Sequence, residues 1–273
     1  MSPDKPEAQP MKLILVGCGK MGGAMLDGWL ANGLTPADAF VVEPYEGAKL
    51  PAGVTRVSTA SEIDPAFKPD FIVYAVKPQM MDDVVAAYGR YEAACHLSIA
   101  AGKSISYFET RLGGSPAVVR AMPNTPAAVG RGITVAVPNS RVSPAQQTTS
   151  DELLSAVGEV AWITDEAQID AVTALSGGGP AYVFLLMEVM AAAGVASGLP
   201  EDLAMRLARV TVSGSGELAR QSDEAASQLR INVTSPGGTT AEALKVLMDE
   251  TTGIGPVFEK AIAAATRRSR ELD

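Results

Sequence analysis

The sequence Lys-Leu-Ile-Leu-Val-Gly-Cys-Gly-Lys-Met-Gly at residues 12–22 decides the fold of the amino-terminal half. Its first five residues, which are apolar after Lys12, predict a β-strand, and residues 23–32 predict a helix. A Gly-x-Gly-x-x-Gly sequence between a strand and a helix is the context of a dinucleotide-binding loop; a glycine-rich turn without a ligand is the alternative. We expect Gly17 to permit the tight turn, Gly19 to let a pyrophosphate approach the backbone, and Gly22 to let helix and strand pack closely.

The amino end of this helix is expected to bind the cofactor phosphates. N–H groups and the partial positive charge of the helix dipole are both available there. The loop residues predicted to contact the cofactor are Gly17, Gly19, Lys20, Met21 and Gly22.

Short apolar runs continue to alternate with helical patterns as far as about residue 163. Such alternation predicts a mostly parallel sheet with helices on both faces. Ligands of these sheets bind beyond the carboxyl ends of the strands. The irregular segments predicted to lie along that edge are the glycine loop and residues 43–44, 75–78, 99–102 and 122–126.

Glu43 ends the second predicted strand, about 20 residues beyond the glycine loop, where a ribose-binding carboxylate is expected. A carboxylate there can accept hydrogen bonds from both ribose hydroxyls of NAD and would repel a 2′-phosphate, which favours NADH. No arginine follows it directly, since the next residues are Pro44, Tyr45 and Glu46. An ordinary surface glutamate is the alternative.

Two further polar residues of this edge allow two interpretations each. Lys77 precedes Pro78 at a strand end, where a lysine is more often positional than chemical. Asn124 lies between Pro123 and Pro126, which stiffen the loop, so it suits either ligand contact or a purely structural turn.

From about residue 165 only helical patterns remain. Residues 180–198 are nearly all apolar, with Glu188 as the only charge, and about 20 apolar residues can span a membrane. The central charge and the lack of basic flanks instead favour a helix buried on most sides against another subunit. We therefore expect no membrane association.

The sequence Ser-Pro-Gly-Gly-Thr-Thr at residues 235–240 places two glycines and two threonine hydroxyls before a predicted helix at residues 241–248. The N–H groups and dipole of such a helix start can hold an anion such as a carboxylate. A capped helix start without a ligand is the alternative, because Ser and Thr commonly cap helices.

Composition narrows the class of protein. The 273 residues carry a net charge of −9 with no basic block, which argues against a nucleic-acid partner. Cys18 and Cys95 do not make a disulfide framework, no metal-ligand cluster is present in the sequence, and the only histidine, His96, is expected at a strand end. Residues 1–10 predict a disordered tail and not a signal peptide, so we expect a cytoplasmic protein.

Five stretches resemble motifs of the pyrroline-5-carboxylate reductase family and occur in the same order. Enzymes of this family catalyse the last step of proline biosynthesis. The last two stretches are the specific ones, whereas the first is shared with many dehydrogenases. The family usually has serine at the position of Gly178 and often a charged residue near Ile231, and these departures bear on substrate fit or the subunit contact. The stretches are Gly-Cys-Gly-Lys-Met-Gly (17–22), Ala-Val-Lys-Pro-Gln (75–79), Arg-Ala-Met-Pro-Asn-Thr-Pro (120–126), Leu-Ser-Gly-Gly-Gly-Pro-Ala-Tyr (175–182) and Ser-Pro-Gly-Gly-Thr-Thr (235–240).

The resemblance implies an α/β fold with an amino-terminal Rossmann dinucleotide-binding domain, residues 11–164. An all-helical dimerisation and substrate-binding domain, residues 165–273, follows and interlocks with a second subunit. Family members form homodimers, often assembled into decamers. The implied reaction moves a hydride from NAD(P)H to the C=N carbon of 1-pyrroline-5-carboxylate and gives L-proline.

The resemblance also implies site residues. We expect Thr240 to be the hydroxyl nearest the imine nitrogen, which can alternatively take its proton from water. The substrate carboxylate is expected to be held by Ser235, Gly237, Gly238, Thr239 and Thr240, and the nicotinamide to lie near Ala75, Val76, Lys77, Pro78, Met122 and Asn124.

Two other functions stay open from the sequence. Another oxidoreductase of this architecture, an imine reductase or a β-hydroxyacid dehydrogenase, is the first. Hydroxyacid enzymes generally use a catalytic lysine in the helical domain, and here Lys245 and Lys260, the only lysines beyond Lys103, lie in no such motif. A non-catalytic dinucleotide-sensing protein is the second, and residues 235–240 argue against it.

Overall fold

The computed structural model describes residues 11–272, so the tail predicted at residues 1–10 lies outside the described residues. The backbone divides into two compact units. The first unit takes in the chain up to Gly177 together with its end from Arg267, and the second is Gly178–Thr266.

This division differs from the domain boundary expected after residue 164. The segment that follows residue 165 packs with the sheet, because Ile169 belongs to the core of the first unit. The chain end returns there as well, since the Ser269 hydroxyl donates a hydrogen bond to the buried carboxylate of Asp170 at 2.7 Å. A contact across 99 residues cannot be seen in a local sequence pattern.

The first unit contains an eight-stranded sheet in the order β3-β2-β1-β4-β5-β6-β7-β8. Every neighbouring pair is parallel except β6 and β7, which confirms the mostly parallel sheet. The carboxyl ends of β1 to β6 therefore share one edge, which we call the ligand edge. The strands are β1 (Leu13–Val16), β2 (Ala39–Val42), β3 (Thr55–Val57), β4 (Phe71–Tyr74), β5 (Cys95–Ser98), β6 (Ala117–Met122), β7 (Gly132–Pro138) and β8 (Gly158–Trp162).

Helices lie on both faces of this sheet. Ser143 caps α4 with a capping box, in which its Oγ accepts from Gln146 N and its own N–H donates to the Gln146 side chain. Between β4 and β5, residues 78–88 form one α-helical segment flanked by 3₁₀ turns, with the β-branched Val84 and Val85 at the change to the second turn. The helices of this unit are α1 (Lys20–Ala31), α2 (Met81–Val84), α3 (Ile105–Leu112), α4 (Pro144–Ser155) and α5 (Ile169–Val172).

Alternation along the strands builds two apolar cores. In β1, Ile14 and Val16 join one core, while Leu13 and Leu15 join the other, because successive side chains of a strand point to opposite faces. Trp29 of α1 packs in the second core and donates from Nε1 to the Leu153 carbonyl of α4 at 2.7 Å. Both faces are thus covered, which leaves the strand ends for ligands.

The second unit is helical and exposes apolar surface. In α6 the side chains of Phe184, Leu185 and Val189 are 57%, 58% and 55% exposed within the chain. The helical stretch Glu166–Ala196 is also long and apolar enough to cross a membrane by length and composition alone. The helices here are α6 (Gly179–Ala196), α7 (Glu201–Gln221), α8 (Ala226–Asn232), α9 (Thr239–Leu247) and α10 (Ile254–Arg270), whose last turn returns to the first unit.

The single histidine of the chain is buried in the sheet. His96 lies in β5, is 1% exposed, and its Nδ1 shares a 2.8 Å hydrogen bond with the Tyr74 hydroxyl. Desolvation lowers the pKa of His96 to about 4, and a backbone hydrogen bond at Tyr91 opposes that shift only in part. The imidazole is therefore neutral at pH 7 and has a structural role in the buried sheet.

We expect this histidine to make the fold acid-sensitive. The unfolded chain binds the proton below pH 6.5, whereas folded His96 resists it down to about pH 4. The free energy of unfolding should therefore fall by about 3 kcal/mol from pH 7 to 4 on account of this residue. Thermal unfolding at each pH should show a smaller fall for His96→Gln, which keeps an acceptor for Tyr74 and does not titrate. A histidine NMR signal titrating near pH 6.5 in the folded protein would contradict this.

Candidate dinucleotide and substrate sites

The glycine loop at residues 17–22 has the geometry that close ligand approach requires. Gly17 has φ +89°, and a Cβ there would lie 2.6 Å from Val76 Cγ1. A Cβ on Gly22 would lie 2.5 Å from the Gly17 carbonyl oxygen and 3.1 Å from Ala75 Cβ. A Cβ on Gly19 would meet no atom within 4 Å, so the space above it is open. Gly17 and Gly22 thus pack tightly against residues 75–76, while the backbone at Gly19 stays accessible to a ligand.

Helix α1 begins at Lys20, three residues earlier than expected, and Gly19 is its N-cap. Its first internal bond runs from Gly23 N to the Gly19 carbonyl at 2.8 Å. The preceding N–H groups of a helix have no acceptor within it. Those of Lys20, Met21 and Gly22 are therefore placed to bind an anion, as a pyrophosphate site needs.

The Glu43 carboxylate lies against the glycine loop. Its Oε2 accepts from Cys18 N at 2.9 Å, and its Oε1 accepts from Tyr45 N at 3.0 Å. Each carboxylate oxygen can accept a second bond, so both can still receive a ribose hydroxyl. The structure thus brings together the glycine loop and the carboxylate, two parts of the fingerprint predicted from the sequence.

The structure adds an arginine that the sequence analysis missed. Arg56 comes from β3, and its Nε donates to the Glu43 carbonyl at 2.9 Å and its Nη1 to the Glu46 carbonyl at 3.2 Å. Arg56 lies 13 residues beyond Glu43, so it is not the arginine directly after this carboxylate that the sequence lacks. The sequence feature that could have indicated Arg56 is its place on the predicted strand β3, which pairs with β2 and ends at the same edge.

Residues 75–78 follow β4 at this edge, as expected. Ala75 and Val76 pack against the glycine loop through the close approaches given above. Lys77 is exposed, and its carbonyl accepts from Met80 N at 2.9 Å in the turn that starts at Pro78. This bond uses the backbone of Lys77 and assigns no role to its ammonium group.

Residues 122–126 follow β6. Asn124 Oδ1 accepts from Ile133 N at 3.0 Å, so its carbonyl group fixes the loop to the start of β7. Met122 packs against the π-helical turn Thr173–Gly177, where a Cβ on Gly177 would lie 2.6 Å from Met122 Cε. The bond of Asn124 supports the structural interpretation of that residue, while Met122 stays at the ligand edge.

The segment at residues 235–240 forms a turn that leads into α9. Gly238 N donates to the Ser235 carbonyl at 3.0 Å, and Gly237 has φ +68°, a conformation that favours glycine. The helix begins at Thr239, two residues earlier than expected, and both threonines are exposed.

The N–H of Gly238 was expected to bind the substrate carboxylate, but it is engaged in this turn. The first helical bond runs from Glu242 N to the Gly238 carbonyl at 3.3 Å. The N–H groups without a helical acceptor are therefore those of Thr239, Thr240 and Ala241. The N–H groups available to an anion are therefore those of residues 239–241, one residue further along the chain than expected.

Comparisons with known proteins agree with this architecture. The family model described as pyrroline-5-carboxylate reductase dimerisation matches residues 166–272, and that described as NADP oxidoreductase, coenzyme F420-dependent, matches residues 12–102. The chain is 39% identical to the pyrroline-5-carboxylate reductase of Pseudomonas aeruginosa over 265 residues, which covers 96% of both chains.

Solved structures give the same result. The pyrroline-5-carboxylate reductase of Coxiella burnetii is similar with a TM-score of 0.88 at 33% identity, covering 97% of this chain and 99% of that one. The Plasmodium falciparum pyrroline carboxylate reductase, solved with NADP bound, is similar with a TM-score of 0.78 at 32% identity, covering 96% and 98%. The likeness thus extends over nearly the whole of each chain.

Proposed function

The chain belongs to the pyrroline-5-carboxylate reductase family, an NAD(P)-dependent oxidoreductase acting on a cyclic imine, and we propose how its residues divide that work. The reaction transfers a hydride from NAD(P)H to the C=N bond of 1-pyrroline-5-carboxylate and gives L-proline. The observation that carries this function is the full-length similarity to reductases of this name. The cofactor supplies the hydride, while the protein supplies binding and orientation.

The dinucleotide is proposed to bind along the ligand edge of the first unit. The open backbone at Gly19 and the N–H groups of Lys20, Met21 and Gly22 support a pyrophosphate site. Residues 75–78 and 122–124, which lie at the carboxyl ends of β4 and β6, are proposed to border the nicotinamide, with Met122 as an apolar neighbour. The residues proposed for the cofactor are Gly17, Gly19, Lys20, Met21, Gly22, Glu43, Ala75, Val76, Lys77, Pro78, Met122 and Asn124.

The substrate carboxylate is proposed to bind at the start of α9. The N–H groups of Thr239, Thr240 and Ala241 have no helical acceptor, which supports an anion site there. Ser235 and Gly237 shape the turn, and Gly238 contributes a backbone without a side chain. The Thr240 hydroxyl is proposed to lie near the imine nitrogen, and water is the alternative proton source.

A panel of three substrates tests this function. The protein should reduce 1-pyrroline-5-carboxylate far more efficiently than 1-pyrroline, which lacks the carboxylate that α9 is proposed to hold. It should not oxidise serine-like hydroxyacids. Hydroxyacid oxidation without imine reduction would point to a β-hydroxyacid dehydrogenase, and tight NADH binding without turnover of either imine would point to a sensing protein.

Glu43 is proposed to favour NADH over NADPH. Its carboxylate faces the glycine loop, where a 2′-phosphate would meet a like charge. Hydrogen bonds to a charged group contribute about 1.5–3 kcal/mol, so we expect kcat/KM to be about tenfold or more higher with NADH. Glu43→Gln should bring the ratio of the two efficiencies closer to one. A wild-type protein that is more efficient with NADPH would refute this preference.

The helical unit is proposed to form a homodimer, and a decamer is the larger assembly that the family resemblance implies. The exposed Phe184, Leu185 and Val189 of α6 supply apolar surface for a second copy, and the dimerisation model covers this region. We further propose that the protein is cytoplasmic and binds neither a membrane nor nucleic acid. A monomeric mass by light scattering at micromolar concentration, with activity retained, would refute the dimer.

A further inference from the structure

We propose that Arg56 is a positioning residue that sets the choice between NADH and NADPH by holding Glu43 against the glycine loop. This inference rests on the proposed function, in which Glu43 receives the adenosine ribose. It gives Arg56 a role different from the usual one, in which an arginine near this carboxylate accommodates a 2′-phosphate.

The backbone of Glu43 is fixed from β3 at both its N–H and its carbonyl group. Its N–H donates to the Val57 carbonyl at 2.9 Å, and its carbonyl accepts from Arg56 Nε at 2.9 Å. The first bond is a main-chain bond that extends the parallel pairing of β2 with β3. The second bond depends on the side chain at position 56, so the residue there decides whether β3 makes two hydrogen bonds to the Glu43 backbone or only one.

The guanidinium also spans the loop that follows β2. Nη1 donates to the Glu46 carbonyl at 3.2 Å, so one planar group joins both ends of residues 43–46. Arginine can do this because its donors are fixed in a rigid fork, whereas lysine offers a single flexible ammonium group. The side chain therefore sets the shape of the loop and does not merely place a charge beside it.

The loop in turn orients the carboxylate. Glu43 accepts from Cys18 N at 2.9 Å and from Tyr45 N at 3.0 Å, so its side chain joins the glycine loop to the loop of residues 43–46 that Arg56 spans. A carboxylate that is already ordered loses little conformational freedom when the ribose binds. Without Arg56, Glu43 should lose both its affinity for the NADH ribose and its repulsion of a 2′-phosphate.

The variants Arg56→Lys and Arg56→Gln test this role, with Arg141→Lys as a matched control. Arg141 is exposed and follows β7, whose antiparallel direction puts its end at the opposite edge of the sheet. With saturating 1-pyrroline-5-carboxylate, the KM for NADH should rise about fivefold to tenfold in both Arg56 variants, given the usual cost of ordering one flexible side chain on binding. The KM for NADPH should fall, because Glu43 then repels the 2′-phosphate less, while the kcat and the melting temperature should stay near the wild-type values.

Three results would overturn the proposal. A rise in the KM for NADPH alone, restored by lysine, would make Arg56 a ligand of the 2′-phosphate. Equal rises in the KM for both dinucleotides would show that Arg56 supports the loop without affecting the choice of cofactor. An unchanged KM for both would show that Arg56 has no role in dinucleotide binding. NADH binding followed by fluorescence separates these from a failure of the proposed function, because a wild-type protein that binds NADH but reduces no imine refutes only the reaction.

Discussion

Replacing Glu166 with alanine is expected to destabilise the first unit by about 3 kcal/mol, the lower end of the cost of breaking a buried ion pair. The Arg120 side chain is 3% exposed, and its Nη1 donates to Glu166 Oε1 at 2.8 Å. The same oxygen accepts from Ile105 N, the first residue of α3, at 2.8 Å. Alanine removes both bonds at once and leaves a buried charge without this carboxylate. The lower end applies because the Glu166 side chain is 29% exposed.

The measurement is the melting temperature at fixed protein concentration, since an oligomer's stability depends on concentration. Glu166→Gln keeps an acceptor oxygen and loses only the charge, so it should fall between the wild type and the alanine variant. Glu92→Ala, at an exposed glutamate, is the control for loss of a surface carboxylate. A melting temperature of Glu166→Ala equal to that of Glu92→Ala would contradict the account of the Arg120 pair.

Replacing Thr240 with alanine is expected to lower kcat about tenfold to a hundredfold, which corresponds to a loss of about 1–3 kcal/mol from one hydrogen bond. The proposed bond forms to the ring nitrogen as that atom changes character during hydride transfer, so its loss acts on the rate. The N–H groups at residues 239–241 survive the substitution, and the KM for the imine should change little. The KM for the dinucleotide should also hold, because Thr240 belongs to the second unit.

Thr240→Ser is the matched control, since it keeps the hydroxyl and removes only a methyl group. It should retain most of the wild-type kcat. Equal and large losses in both variants would show that the methyl group, and hence packing, matters there. An unchanged kcat for Thr240→Ala would show that the Thr240 hydroxyl has no part in the reaction. Residues 235–240 would then serve only as a helix start, and water would be the proton donor.

Local patterns were enough to predict the frame of the first unit. The glycine loop, the apolar strand before it and the placement of Glu43 depend on residues close in sequence, and their spacing determines their geometry. The parallel ends of β1 to β6 then brought the predicted segments to one edge. The structure confirms this part of the fold.

Pairings between distant residues account for what the sequence did not reveal. Arg56 reaches Glu43 only because β3 lies beside β2, and Ser269 reaches Asp170 across 99 residues of sequence. The turn at Gly238 is local, but its N–H could go to the Ser235 carbonyl or to a ligand. Sequence spacing does not decide between two acceptors for one donor.

Transfer of deuterium from the cofactor to the substrate tests the central claim most directly. The protein is incubated with 1-pyrroline-5-carboxylate and NADH deuterated at the transferable position of C4, and the product is analysed by mass spectrometry and NMR. We expect L-proline with one deuterium on C5, the ring carbon that was doubly bonded to nitrogen. Proline without deuterium, or oxidised cofactor with no proline formed, would contradict direct hydride transfer to the C=N carbon.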